Sequence, residues 1–95
     1  MINSMLEEHF DNSLWENYVK LYESFWVNSE YQKILLKSLN NKVDIAQVIY
    51  GILEMESHIW IEKIIPALGN MKPINCIDDE ILFKRLKTML TRMSR

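Results

Sequence analysis

Two histidines, one cysteine and a run of three acids are the residues best equipped for chemistry in this chain, and their spacing limits what they can do. His9 and His58 lie 49 positions apart, and neither stands in the His-x-x-x-His or Cys-x-x-Cys spacing that places two ligands on one helical face. They read as surface or capping histidines, and no metal site is expected. Cys76 is the single cysteine, so it closes no internal disulfide. Nothing beside it would lower its thiol pKa or orient an imidazole, and it reads as a small buried hydrophobe rather than a nucleophile. Asp78-Asp79-Glu80 is too tight a run for one cation, because consecutive residues at a helix start point in different directions; three negative charges there suit the positive end of a helix. No acid–base or nucleophile constellation remains. The expectation is a non-enzyme without cofactors.

The remaining chemistry is charge. Eleven Lys and Arg against thirteen Asp and Glu give a net charge of −2, so the chain as a whole lacks the positive field of a nonspecific nucleic-acid binder. The charge is unevenly placed. Residues 1–41 carry three Lys against six acids, whereas Lys84, Arg85, Lys87, Arg92 and Arg95 close the chain with no acid among residues 84–95. A lone cysteine points to a reducing compartment, and no signal peptide or apolar run of about 18 residues is visible, which together predict a cytoplasmic protein with no membrane role. The abundance of Ile, Asn and Lys suggests A/T-rich coding DNA and hence a bacterial or phage source.

These groups must be positioned by helices. Ninety-five residues allow one domain, and two Gly and two Pro are too few for a β-sandwich, a barrel or a Gly-rich phosphate loop. The expected architecture is all-α: a compact bundle of about five helices over residues 1–95, with a Pro/Gly-containing loop at 66–73. Ser13-x-x-Glu16 predicts a capping box ahead of a helix over about 14–27 whose Trp15, Tyr18, Val19, Tyr22, Phe25 and Trp26 form an aromatic stripe. Met5, Leu6 and Phe10 before it suggest a short element. Ser29-x-x-Gln32 repeats the capping pattern before Tyr31, Ile34, Leu35 and Leu39, and Asn40-Asn41 breaks that helix. Asp44 is expected to cap a third helix lined by Ile45, Val48, Ile49, Ile52 and Leu53, with Gly51 at a weak point or a close contact. Ser57 is expected to cap a fourth, carrying Ile59, Trp60, Ile61, Ile64 and Ile65, that Pro66 must end or kink because it supplies no amide to the ladder. Pro73 starts a short helix through Ile77, and a last helix presents Leu82, Phe83, Leu86, Met89, Leu90 and Met93 to the core and its cations to solvent.

Three of the four Gly and Pro residues, Pro66, Gly69 and Pro73, fall within eight positions. Taken with Trp60-Ile61, Pro66-Ala67-Leu68-Gly69-Asn70, Ile77, Leu86, Leu90 and Arg92-Met93, they make residues 57–93 resemble the C-terminal toxin-binding domain of MbcA/ParS/Xre-type antitoxins. That family's pattern runs Trp-Leu, a Pro-Ala-Leu-Gly-Gly-like turn, Pro five residues after the Leu, an apolar residue four later, and a closing helix ending Leu-x-Arg-Ile. Trp60, Leu68, Pro73 and Ile77 match it without a gap. Ile64 stands where many members have Pro, Ile81 where they commonly have Gly, and the last helix aligns only after a one-residue shift.

The resemblance implies a non-catalytic antitoxin of a type II toxin–antitoxin pair, one that binds and occludes a cognate protein toxin of the RES type, with an acidic, aromatic helical part at 1–41 and the toxin-binding part at 42–95. Trp60, Pro66, Leu68, Gly69, Pro73 and Ile77 then hold a rigid corner. Partner contact falls to exposed Asn70, Met71 and Lys72 and to Arg85, Arg92 and Arg95 of the basic end, where Arg suits multidentate contacts with an anionic mouth. Members of the family often carry a separate DNA-binding helix-turn-helix; residues 42–56 lack a turn followed by a basic recognition helix, so DNA binding is not favoured. Two rival readings use the same elements: a small helical transcriptional regulator with the basic helix on DNA, or a helical inhibitor or adaptor that forms a homodimer through the aromatic stripe of residues 15–26.

Overall fold

The computed structural model of the chain describes residues 10–93. Met5, Leu6 and His9 of the sequence reading, and Arg95, lie outside them. The architecture is all-α, with four helices: α1 (Asn12–Leu21), α2 (Glu30–Ser38), α3 (Val43–Leu53) and α4 (Glu80–Arg92). The count is four rather than five because the expected fourth helix shrinks to a single α-turn, Ser57–Trp60. Short 3-10 turns at Glu23–Phe25, Glu54–Glu56, Pro66–Leu68 and Pro73–Asn75 connect the elements. No helix among the described residues is long and apolar enough to cross a membrane.

Helix α3 is the centre, and its composition explains why. Ile45, Ala46, Gln47, Val48, Ile49, Gly51 and Ile52 are all buried, so it is apolar nearly all round, which requires neighbours on every side. Helices α1, α2 and α4 supply them. The approach of α1 is close enough to need Gly51: a Cβ there would fall 2.3 Å from the Tyr22 ring. Leu35, Leu39, Leu68, Leu86 and Leu90 fill the rest of a core that also takes in Trp15, Tyr22, Ile61, Cys76 and Ile77.

Several caps differ from expectation. Helix α1 starts two residues early because Asp11, not Ser13, accepts from the Ser13 and Leu14 amides (2.9 and 3.2 Å), and it stops at Leu21, where the aromatic stripe continues as a 3-10 turn. The Ser29–Gln32 capping box is present. Gln32 is fully buried yet satisfied, accepting from the Val27 and Ser29 amides (2.9 and 3.1 Å) and donating to the Phe25 carbonyl (2.9 Å), so one side chain organises residues 25–29. Lys42, not Asp44, occupies the N-cap of α3, with no side-chain cap. Ser57 caps nothing; it is buried and donates its hydroxyl to the Glu54 carbonyl (2.6 Å). Asp79 caps α4 through the Leu82 amide (3.0 Å), while Asp78 accepts from the Asn40 side chain (3.0 Å) and ties α4 to the end of α2.

Candidate functional site

The candidate recognition loop is built on backbone hydrogen bonds. Ile65 N–H donates to the Met71 carbonyl (3.0 Å), while the Ile65 carbonyl accepts from both Leu68 N–H (3.0 Å) and Asn70 N–H (3.1 Å). Gly69 N–H donates to Pro66 (3.0 Å) and Ile74 N–H to Ile61 (3.1 Å), which ties the far end of the loop to the turn before it. Closing so tight a loop takes two successive left-handed residues, Gly69 at φ 70° and Asn70 at φ 61°, the types that tolerate that region best. Leu68 points inward and is fully buried, so the loop is anchored by one apolar peg. Pro73 starts its 3-10 turn with a fixed φ and is itself buried.

The sequence-predicted residues separate into two groups on this frame. Leu68, Pro73 and Ile77 are buried and Trp60 is half-buried, while Pro66 and Gly69 lie on the exposed edge of the loop. Asn70 is exposed; Met71 and Lys72 are half-buried, and Lys72 pairs with Glu62 at 3.5 Å. Arg85 comes to the loop: a Cβ at Gly69 would lie 3.4 Å from its guanidinium, so the side chain lies against the one loop position that has none. Arg92 is exposed at the end of α4.

The basic residues of α4 do not form one face. Lys84 faces Glu80 one turn away at 3.9 Å, and Lys87 turns toward α1 and α3. There its ammonium sits 4.2 Å above the Phe83 ring, 5.5 Å from Trp15 and 5.6 Å from Phe10, and 3.9 Å from the Asp44 carboxylate. Trp15 donates its indole N–H to the same carboxylate at 3.1 Å. Burial lowers the pKa of Lys87, with Asp44 opposing that shift and Lys42 and Lys84 adding to it. Trp15, Asp44 and Lys87 of this constellation line an open cleft of about 460 Å³ with Asn12, Glu16, Val19 and Lys20.

Sequence reasoning did not single out that cleft. Its only signal was an i, i+4 pair, Phe83 and Lys87, beside an Asp in the first turn of another helix; the pairing of Asp44 with Trp15 spans 29 positions and leaves no local trace. The other candidate groups have structural surroundings. Cys76 is buried, its thiol donating to the Lys72 carbonyl (3.4 Å), and burial pushes its pKa up against the opposing charge of Arg85. His58 packs on Tyr31, whose hydroxyl lies 2.7 Å from Nδ1 and donates to the Met55 carbonyl (2.9 Å). The same hydroxyl accepts from the His58 backbone N–H (3.0 Å), so Tyr31 ties the Met55–His58 turn to α2. Among the described residues no group of three His, Cys, Asp or Glu side chains is placed to hold a metal ion.

Comparison of the chain with family models, curated proteins and solved structures gives no match.

Proposed function

We propose that this protein is a protein-binding module of the antitoxin type, which occludes a cognate toxin through the 66–70 loop edge and the Arg85–Arg92 side of α4. The observation that carries this reading is the loop itself: an exposed turn held in one shape by paired main-chain hydrogen bonds and a buried leucine, with an arginine laid across its glycine. A turn prefolded in this way loses little conformational freedom on binding, which is what a tight occluding contact needs. Arginine at its edge supplies fork-shaped donors for an anionic surface. Dispersal of the α4 cations over several directions speaks for local anchors of this kind rather than for a continuous basic stripe laid along a phosphate backbone.

The test is calorimetric titration with the product of the adjacent gene. Truncation of the basic end would remove Leu90, which is fully buried, so point substitutions are the cleaner probe. Asn70→Gly, which keeps the left-handed backbone, with Arg92→Gln should weaken binding at least about tenfold, equivalent to about 1.4 kcal/mol, while thermal unfolding changes little. Undiminished binding by the double variant would overturn the assignment.

A further inference from the structure

The apolar pattern of residues 57–65 assigns Ile64 to the core, yet the structure leaves it 63% exposed while Ile61 and Leu68 on either side are buried. The cause is an antiparallel bridge between Ile65 and Met71. Successive side chains of an extended chain point to opposite faces, and cross-strand neighbours share one. Ile65 and Met71 pack on the core, so Ile64, Pro66 and Asn70 fall on the outward face, where all three are exposed. Main-chain geometry holds this isoleucine in water. Its own backbone is unused as well. The Ile65 N–H points at the Met71 carbonyl (3.0 Å), and across a trans peptide the Ile64 carbonyl points the opposite way, out from the loop. Neither that carbonyl nor the Ile64 N–H has a hydrogen-bond partner among the described residues. Beside it Lys63 is exposed with no acidic partner among the described residues, whereas Lys72, across from Ile64, is paired with Glu62 at 3.5 Å.

We propose that Ile64 is the anchor of the toxin contact, its side chain entering an apolar pocket while its carbonyl and N–H bond to an extended segment of that protein. This rests on the antitoxin reading above and names what the loop edge docks against. The main chain selects an extended segment. An unused acceptor and an unused donor on one residue are the two groups that a residue exchanges with its opposite number in a hydrogen-bonded antiparallel pair. The side chain selects an apolar pocket, and because the bridge at Ile65 already fixes its direction, seating it costs little ordering. Lys63 next to it favours a segment that carries an acid beside the apolar contact. Such a contact is small in area, and an anchor seated in a pocket carries binding energy out of proportion to its area.

Calorimetric titration of the full chain with the product of the adjacent gene tests it, read beside amide hydrogen exchange of the same complex. Ile64→Ala should keep the helical circular dichroism and melting temperature of the wild type, because the side chain stands mostly in water. It should weaken binding at least about 30-fold, more than Asn70→Gly with Arg92→Gln. The Ile64 amide, unpartnered in the free protein, should exchange there close to the open-chain rate and at least about tenfold more slowly in the complex. If the wild type binds and Ile64→Ala binds as tightly, the anchor is overturned and the antitoxin reading stands. An Ile64 amide that exchanges as fast in the complex as in the free protein would overturn the extended-segment contact. A wild type that does not bind the adjacent product at all overturns the antitoxin reading and this inference with it, so the two failures are told apart.

Discussion

Helix α4 carries Arg85 and Lys87 two residues apart, and the fold treats them in opposite ways. Lys87 turns to the α1–α3 side, where three rings and the Asp44 carboxylate surround a side chain left 16% exposed. Arg85 turns to the loop side and lies against Gly69 at the edge of an exposed turn. The cause is helical phase: two residues rotate about 200°, enough to put like charges on opposite flanks. One cation has become part of the interior packing, and the other, half-buried, lies against the glycine of an exposed turn. A run of basic residues in the sequence is therefore not one surface, and its net charge says little about how much of it is available for binding.

The largest effects should come from the anchors beneath each flank. Leu68 is the fully buried peg of the loop, and Leu68→Ala should cost about 3 kcal/mol in urea unfolding, because the main-chain hydrogen bonds above it leave the cavity little freedom to collapse. The same substitution should weaken binding of the partner, since the loop loses its fixed shape. On the other flank, Asp44→Ala should cost about 1–2 kcal/mol: it leaves the indole N–H of buried Trp15 without its acceptor and Lys87 without its counter-charge. Asp44 is itself 41% exposed, so water compensates in part. Partner binding should be unchanged by Asp44→Ala at temperatures where the variant is folded. If it is lost, the two flanks are not separate and the comparison fails.

How much of this was legible in the sequence follows the range of the interactions. The all-α class, the Ser29–Gln32 cap, the break at Asn40-Asn41 and the acidic start of α4 come from local rules acting over three or four residues, and they stand in the structure, whereas Pro66 ends no helix and instead opens a 3-10 turn. Asn40 and Asn41 indeed take φ of 56° and 61°. The start of α1 was misplaced because Asp11 and Ser13 are both competent caps and local pattern alone does not choose between them. The types of Ser57 and Asp44 favour a capping role, yet other partners claim both side chains: the Glu54 and Ile49 carbonyls accept from Ser57, and Trp15 and Lys87 hold Asp44. Residues 57–65 had the apolar pattern of a helix, but past the turn at Ser57–Trp60 the Ile65 backbone bonds to Met71 and Asn70 across the loop instead of continuing the helical ladder.

The smallest expected effect separates the two flanks most directly, because it depends on the protonation of one amine. Burial lowers the pKa of Lys87 from its ordinary 10.5, and Asp44 only partly offsets this. In the window between the lowered folded value and 10.5 the unfolded chain binds more protons than the folded one, so stability rises with pH there; the penalty of holding the charged amine in its partly buried site is full below the folded value and absent above 10.5. The informative quantity is the difference between the wild type and Lys87→Met, which keeps the apolar stem, removes this titration and cancels every group the two chains share. Urea unfolding at pH 7, 9 and 10 should show the wild type gaining on the variant as pH rises. Replacing Arg85 at the loop by Met should give no such slope. A wild type that instead loses ground with rising pH would mean that the three rings and Asp44 outweigh burial, making Lys87 a net attractive centre and not a charge merely accommodated beside the core.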